Sequence, residues 1–249
     1  MHERFYRCND QPRNFLIHIV SLALTKTGDQ FMDPKITLSW LLTTLGSPAF
    51  YLSLLVPIHN TFSLLPQMLV AAAIRRIAIR KWLWSAGAIG QALALLCMGY
   101  VALNLQGSQA GLAILGALLV FSLSRGVCSV AQKDVLGKTV AKTRRGRVSG
   151  YTETVSGVLT MLLACWLLYT GERTLDVVAR ILLFAAMLWI IAALVFAQMS
   201  EEPGATSGGA NAIEEAFAQL SLLRTNVEFR KFVLVRSSLL GSALAAPYL

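Results

Sequence analysis

Four charged side chains lie close together in an otherwise apolar N-terminal stretch: Lys26, Asp29, Asp33 and Lys35. A charge inside a membrane span costs about 2.5–3.5 kcal/mol on insertion scales, so such residues are functional candidates. At about 100° per residue, Lys26, Asp29 and Asp33 share one face of a helix, whereas Lys35 lies opposite. An acid on that face can take up a proton and couple its movement to that of a solute.

The same charges have a structural explanation, because segment 14–45 is longer than one membrane crossing. At 1.5 Å per residue it extends over about 48 Å, against roughly 30 Å of hydrocarbon. Some of the four charges must then lie outside the hydrocarbon, and Lys26 can extend its ammonium group to the interface. Pro34 removes a backbone hydrogen bond and predicts a kink in this helix.

Three further residues are candidates for a proton or substrate pathway. Arg125 follows the uncharged window 82–124 and is either a charge in a cavity or an anchor at the inner interface. Glu153 lies about one turn into a predicted span, and we predict that it pairs with Arg125. His59 has a side chain that titrates near neutral pH in water. A lone polar group between helices is more often a packing contact.

The composition argues against most soluble and cofactor-dependent enzymes. Only 14% of the residues are charged and 55% are hydrophobic, whereas soluble domains have about 25% charged residues. The four cysteines lack metal or redox spacing, and the three histidines at 2, 18 and 59 predict no hydrolase. A phosphate-binding Gly-x-x-x-x-Gly-Lys-Ser/Thr loop is absent from the sequence. We therefore expect a protein that is not an enzyme and needs no cofactor or metal.

Long uncharged windows predict an all-α polytopic membrane bundle with six complete spans and a truncated seventh. A helix needs about 20 mostly apolar residues to cross a bilayer, and lipid offers no other partner for backbone N–H and C=O groups. Turns at 46–48 and 104–109 divide the two longest windows. The predicted spans are 14–45, 48–74, 82–103, 110–128, 149–169 and 178–199, with a seventh from 232.

The distribution of basic residues predicts the topology, because cytoplasmic loops are enriched in Lys and Arg. The connections after spans 2 and 4 hold ten Lys and Arg residues, against two in the loop between spans 5 and 6. The N-terminus is therefore expected in the cytoplasm of a bacterial cell, with the spans in its inner membrane. Topology and anionic lipid headgroups then explain the net charge of +9, so no nucleic-acid partner is expected.

The chain divides into three predicted parts. Residues 1–199 form the six-helix transmembrane half, and 200–231 form a cytoplasmic linker rich in Gly, Ser and Ala. Within the linker, 213–223 has the apolar spacing of an amphipathic helix. Residues 232–249 begin a second half.

Basic motifs in the loops carry a family resemblance. In the loop between spans 2 and 3, Arg76, Arg80 and Lys81 match the basic positions of a Gly-x-x-x-Asp-Arg-x-Gly-Arg-Arg pattern. An arginine in span 4, Arg125, and the basic entry to span 5 at 144–150 are further matches. With the six-span layout, the chain resembles the N-terminal half of a major facilitator superfamily permease. Three positions depart from the pattern: Ala71 and Ala78 replace glycines, and Arg75 replaces the acid.

The resemblance implies a secondary active transporter that works by alternating access. Its partners would be a small solute and H⁺, together with the lipid bilayer and a missing C-terminal half. In that family the acid of the loop pattern helps set the conformational equilibrium, a role that Arg75 cannot take. The sequence is expected to be the N-terminal part of a longer gene product. The alternative is a six-span scaffold or assembly subunit that transports nothing. An intramembrane enzyme would need polar residues that converge from several spans.

Overall fold

A computed structural model of the chain describes residues 11–74, 77–170, 174–204 and 226–245. Within these ranges the regular structure is entirely helical, which confirms the predicted all-α class. A π-helical turn covers Pro34–Leu38 and a 3₁₀ turn covers Lys142–Arg144. The α-helices are α1 Gln11–Phe31, α2 Ser39–Thr44, α3 Ala49–Ile74, α4 Lys81–Asn104, α5 Gly107–Thr139, α6 Arg145–Thr170, α7 Leu175–Ala197 and α8 Val227–Ala245.

The first predicted span is interrupted after α1, as Pro34 predicts. Asp33 caps the turn that follows: its Oδ1 accepts backbone hydrogen bonds from Lys35 at 2.7 Å and Ile36 at 3.2 Å. Pro34 occupies the first position of that turn, where no backbone donor is needed. The expectation that Asp33 shares a helical face with Lys26 is wrong, because the helix ends before Asp33.

Two glycines with positive φ form the turns that were predicted at 46–48 and 104–109. Gly46 has φ of 68° and Gly107 has φ of 59°, a region that residues with a Cβ rarely adopt. The two turns bind each other: the N–H of Gly107 donates to the carbonyl of Leu45 at 2.8 Å. In return, the Ser47 hydroxyl donates to the Gly107 carbonyl at 2.8 Å. Both turns therefore lie at one end of the bundle.

Three helices in the described part of the chain are long and apolar enough to cross a bilayer: α4, α5 and α7. Helix α3 contains a shorter apolar segment, 49–64. The predicted count of six complete spans is not supported by length and composition. Helix α1 falls short because charged and polar residues occupy much of its length. The described part of the chain is therefore helical, with three candidate membrane spans.

The helices pack in a row with α4 and α7 at its centre. Helix α4 contacts α5 and α7, α5 contacts α3, α7 contacts α1, and α1 contacts α6. The order across the row is therefore α3, α5, α4, α7, α1, α6. Large side chains fill the centre, and the rings of Trp84 and Phe196 stack with centroids 3.9 Å apart. This core fixes α1 and α5, which carry the charged residues described below.

Helix α6 exposes a broad apolar face. Tyr169 is 92% exposed, Leu168 is 71% exposed, and Met161 and Leu162 are exposed by more than half. Large contiguous apolar patches are uncommon on proteins that face water and indicate a membrane or protein contact. The exposed face of α6 thus agrees with a membrane location.

Several predicted boundaries differ from the structure. Helix α5 continues to Thr139, well past the predicted end at 128, and α6 begins at Arg145 rather than 149. Helix α8 begins at Val227 rather than 232. For α5 and α6, the predicted boundaries were the ends of the uncharged windows. Both helices extend past these windows into polar residues. The predicted amphipathic helix 213–223 lies outside the described residues.

Candidate functional site

An ion pair joins α1 to α5 in the interior of the bundle. The Nη1 atom of Arg125 lies 2.5 Å from Oδ2 of Asp29, and the two side chains are 37% and 19% exposed. The pair connects helices that the apolar core holds mainly through α4 and α7. A charge-assisted contact of this kind is shorter and stronger than one between neutral groups.

Arg125 lies far from both ends of its helix, whereas Asp29 lies near the end of α1. Arg125 is about 27 Å from the start of α5 and about 21 Å from its end, at 1.5 Å per residue. By the same rise, Asp29 is about 27 Å from the start of α1 and about 3 Å from its end at Phe31. The prediction left open whether Arg125 anchors a helix end or places charge in a cavity. Because α5 is longer than predicted, Arg125 lies near its middle and the geometry favours the second reading.

The carboxylate of Asp29 is only half engaged. Its Oδ2 binds Arg125, whereas its Oδ1 is buried without a hydrogen-bond partner among the described residues. A buried oxygen without a donor is costly in the ionised form, by about 1–3 kcal/mol or more for a charged group. Protonation turns that oxygen into a hydroxyl and removes the charge. Asp29 therefore has two competing stabilised forms, ionised beside Arg125 or protonated away from it.

A second ion pair joins α1 to α6. The ammonium group of Lys26 contacts Oε1 of Glu153, with side chains 39% and 63% exposed. The predicted pairing of Glu153 with Arg125 is wrong, since each charge has a partner on α1 instead. Lys26 and Asp29, which share one face of α1, thus each contact a neighbouring helix.

His59 brings α3 into the same set. The Ser122 hydroxyl on α5 donates to the carbonyl of Leu118 at 2.7 Å. Its only hydrogen is thereby committed, so Nδ1 of His59 donates to Ser122 Oγ across 3.3 Å. The ring also lies 6.2 Å from that of Phe121. His59 thus contacts α5 at Ser122, about one turn before Arg125.

Polar contacts therefore link four helices in the order α6, α1, α5, α3. This set contains four of the predicted pathway residues: Asp29, His59, Arg125 and Glu153. The structure adds Lys26, whose contact across helices the sequence did not predict. Of the other two predicted residues, Asp33 caps the π-helical turn within electrostatic range of His59, whereas Lys35 is exposed beyond the break. In chemical terms, the linked set can bind an ionic or polar solute and can exchange a proton at Asp29.

A second polar cluster lies where α3 ends and α4 begins. The carboxylate of Glu201, which follows α7, accepts backbone hydrogen bonds from Arg80 at 2.9 and 3.0 Å and from Lys81 at 2.7 Å. Lys138 also binds it at 2.9 Å, and the Glu201 side chain is fully buried. Glu201 thereby occupies the N-terminus of α4, where backbone donors and the helix dipole favour an anion.

The predicted motif residues Arg80 and Lys81 are both engaged here. Arg80 contacts Asp134 of α5, and its Nε donates to the carbonyls of Ile74 and Ile77 at 3.1 and 3.2 Å. Lys81 donates to the Met199 carbonyl at 2.8 Å. Arg76, the third predicted motif residue, lies outside the described residues.

The acids of this cluster were not singled out from the sequence. Asp134 was visible as the one acid among six bases in its connection. Glu201 had no comparable mark, because it follows a span and begins a linker. In the structure these acids come from α5 and from the segment after α7.

The described part of the chain contains no group of three His, Cys, Asp or Glu side chains placed to hold a metal ion. The buried thiol of Cys128 instead donates to the Trp84 carbonyl at 3.3 Å. It also accepts from the Gln91 amide at 3.4 Å. Comparison with protein-family models and with curated proteins finds no match to this chain.

Proposed function

We propose that the protein is a proton-coupled secondary transporter of the major facilitator type. The observation that carries the proposal is the half-engaged carboxylate of Asp29, which is paired with Arg125 near the middle of α5. Charge in that position is expensive and is retained where it contributes to ion or substrate movement.

The proposal includes a six-span layout. In this proposal α1, the π-helical turn and α2 form one interrupted span, and α3 to α7 form the other five. Interrupted helices are common around the binding sites of transporters. The turns at Gly46 and Gly107 lie at one end of the bundle, and the cluster around Glu201 lies at the other. With basic connections at that second end, the N-terminus is on the cytoplasmic side.

The proposed mechanism uses Asp29 as the proton carrier. When Asp29 is ionised, its carboxylate neutralises Arg125. When it takes up a proton, Arg125 loses its counter-ion and becomes available to a polar or anionic solute. Lys26 and Glu153 on one side and His59 on the other place further polar groups beside the same space. Rocking of this six-helix half against a second half then exposes the site alternately to the two sides.

Uptake by protein reconstituted in liposomes tests the proposal. A panel of radiolabelled sugars, amino acids, carboxylates and organic cations is offered under an imposed pH gradient. We expect one class to accumulate, and we expect Asp29→Asn to abolish accumulation driven by the gradient. Asp176→Asn is the matched control, because this acid is exposed in the first turn of α7. Accumulation that persists in Asp29→Asn at the wild-type level would overturn the coupling role.

The apolar face of α6 favours a second candidate function, a membrane scaffold that assembles with another protein. Its exposed side chains include Leu168 and Tyr169. A scaffold would show no solute flux in the same liposomes and would purify as a stable complex. Transport of any solute in the panel would favour the transporter over the scaffold.

A further inference from the structure

One face of α1 carries a buried line of polar side chains. Asn14, His18, Ser21 and Thr25 are at most 4% exposed, and Asp29 continues the line. Their spacing of three or four residues places them on one side of the helix. The line begins at the N-terminal end of α1 and leads to the ion pair with Arg125.

The hydrogen bonds of His18 define its tautomer. The Thr139 hydroxyl donates its single hydrogen to the carbonyl of Val135 at 2.7 Å. Thr139 Oγ1 can then only accept from His18 Nε2, which lies 2.9 Å away. Nε2 therefore carries a proton, and in the neutral imidazole Nδ1 presents a lone pair. That Nδ1 is buried and has no hydrogen-bond partner in the described part of the chain.

Two further hydroxyl groups are in the same condition. Ser21 Oγ and Thr152 Oγ1 are both buried without a partner among the described residues. Thr152 on α6 lies against the part of α1 that contains Ser21. On one side of it Tyr151 contacts Phe15, with ring centroids 6.4 Å apart, and on the other Glu153 contacts Lys26.

Unpaired polar atoms in such number have a physical consequence. Each costs about 1–3 kcal/mol if it is left without a partner. Other hydroxyls of α1 avoid this cost by binding its backbone, as Thr25 and Thr27 do at 3.1 and 2.8 Å. Ser21, Thr152 and Nδ1 of His18 do not. Groups of this kind in a polar site are ordinarily satisfied by water, which makes about three hydrogen bonds in a protein interior.

We propose that water enters this line and that the line conducts protons between Asp29 and the N-terminal end of α1. His18 is the intermediate acceptor. The O–H bond of protonated Asp29 breaks, and its proton passes through water beside Ser21 and Thr152 to Nδ1 of His18. The imidazolium then releases one proton to water at the N-terminal end of α1, and the Asp29 carboxylate pairs with Arg125 again.

No charged side chain in the described part of the chain is in hydrogen-bond contact with the His18 ring. Its hydrogen bond is with Thr139, and its ring packs against that of Phe196, with the centroids 5.5 Å apart. The charged groups on the neighbouring helices are directed elsewhere. Lys138 of α5 binds Asp134 and Glu201, Arg145 of α6 binds backbone carbonyls, and Glu153 binds Lys26.

The proposed route ends where α1 meets the end of α7. The Asn14 amide donates to the Ser200 carbonyl at 2.9 Å and accepts from the Ser200 N–H at 3.1 Å. Arg13 donates to the carbonyl of Gln198 at 3.3 Å. These bonds hold the N-terminal end of α1 to the end of α7, so the position of the polar line is fixed there.

Solid-state NMR of ¹⁵N-histidine protein in lipid tests the hydration directly. The chain has three histidines, and His18→Gln identifies the signals of residue 18. We expect a neutral ring with its proton on Nε2, and transfer of magnetisation from water to Nδ1. Loss of that transfer in Ser21→Ala/Thr152→Val supports the proposed hydroxyl-lined water. A proton found on Nδ1, or no transfer from water, would overturn the proposal.

Transport provides a second readout, which rests on the proposed function. His18→Gln retains a donor for Thr139 but cannot carry a proton. With a solute found in the panel, we expect uptake driven by the pH gradient to fall about 100-fold, in the range of one lost proton-transfer group. Exchange of labelled for unlabelled solute should continue, which shows that the variant is folded.

The two proposals fail in different ways. If gradient-driven uptake is unchanged in His18→Gln, the proton route is overturned while the transporter stands. If the wild-type protein moves no solute, the transporter proposal fails. The NMR experiment still shows whether water reaches Nδ1 of His18.

Discussion

Arg125 near the middle of α5 and Asp29 near the end of α1 form a contact of 2.5 Å, and only one of the two carboxylate oxygens takes part. The helices are joined mainly through their neighbours α4 and α7. The pair thus adds a direct polar connection between the two elements that carry the candidate site.

A double-mutant cycle measures that connection. Arg125→Ala and Asp29→Ala should each lower the free energy of unfolding by about 2–3 kcal/mol, because each leaves a poorly solvated charge without its partner. The double variant should lose less than the sum, with a coupling energy of about 1–2 kcal/mol. Reversible unfolding in detergent gives these values. Strictly additive losses would show that the contact contributes nothing to stability.

The contact of Lys26 with Glu153 should contribute much less to stability. Both side chains are more than a third exposed, so solvent screens the pair and Lys26→Ala should cost less than about 1 kcal/mol. Lys35→Ala serves as the control, since this lysine is exposed and only its backbone N–H is used in the Asp33 cap. Unfolding at low and high salt should show a salt dependence for wild type that Lys26→Ala lacks. Equal salt dependence in both proteins would contradict this expectation.

Variants of Asp33 and of Asp29 should differ in their effects on stability and transport. Asp33→Ala removes the cap of the π-helical turn and should cost about 1 kcal/mol. Asp33→Asn keeps a side-chain acceptor and should remain close to wild type in both stability and transport. Asp29→Asn should instead lose gradient-driven transport. Loss of transport in Asp33→Asn with normal stability would show that Asp33 acts as more than a cap.

Glu201 should be important for stability although it lies after the last candidate span. Glu201→Ala removes an acceptor from two backbone N–H groups and from Lys138. Because the carboxylate is fully buried, the expected loss is about 3–5 kcal/mol, the range for breaking a buried pair. Glu202→Ala is the matched control, since Glu202 is exposed. Thermal unfolding of the two variants side by side measures the difference, and similar melting temperatures would contradict the prediction.

Gly28 should not tolerate a side chain. A Cβ at this position would lie 2.9 Å from Nε1 of Trp189, whose ring is buried in the core. Gly28→Ala should therefore destabilise the protein by about 1–3 kcal/mol through overpacking. Gly116→Ala in α5 is the control: nothing lies within 4 Å of its added Cβ, and alanine favours the helix by up to about 1 kcal/mol. Equal stability of the two variants would mean that Trp189 moves aside freely.

The sequence by itself determined the helical class, the turns and the break in the first span. Low charge content and long uncharged windows require helices, because lipid provides no partner for the backbone. The effects of Gly46, Gly107 and Pro34 on backbone conformation are local, so they do not depend on how the helices pack. The sequence also identified Asp29, His59, Arg125 and Glu153 as charges or polar groups in unusual places.

The tertiary structure decided which of those groups meet. Pairing depends on how α1, α5 and α6 pack, and no local pattern gives the rotation of one helix against another. Asp29 therefore pairs with Arg125, Lys26 takes Glu153, and Asp33 becomes a cap. The contact of His18 with Thr139 joins residues far apart in the chain, so the proposed proton route is visible only after the helices are assembled.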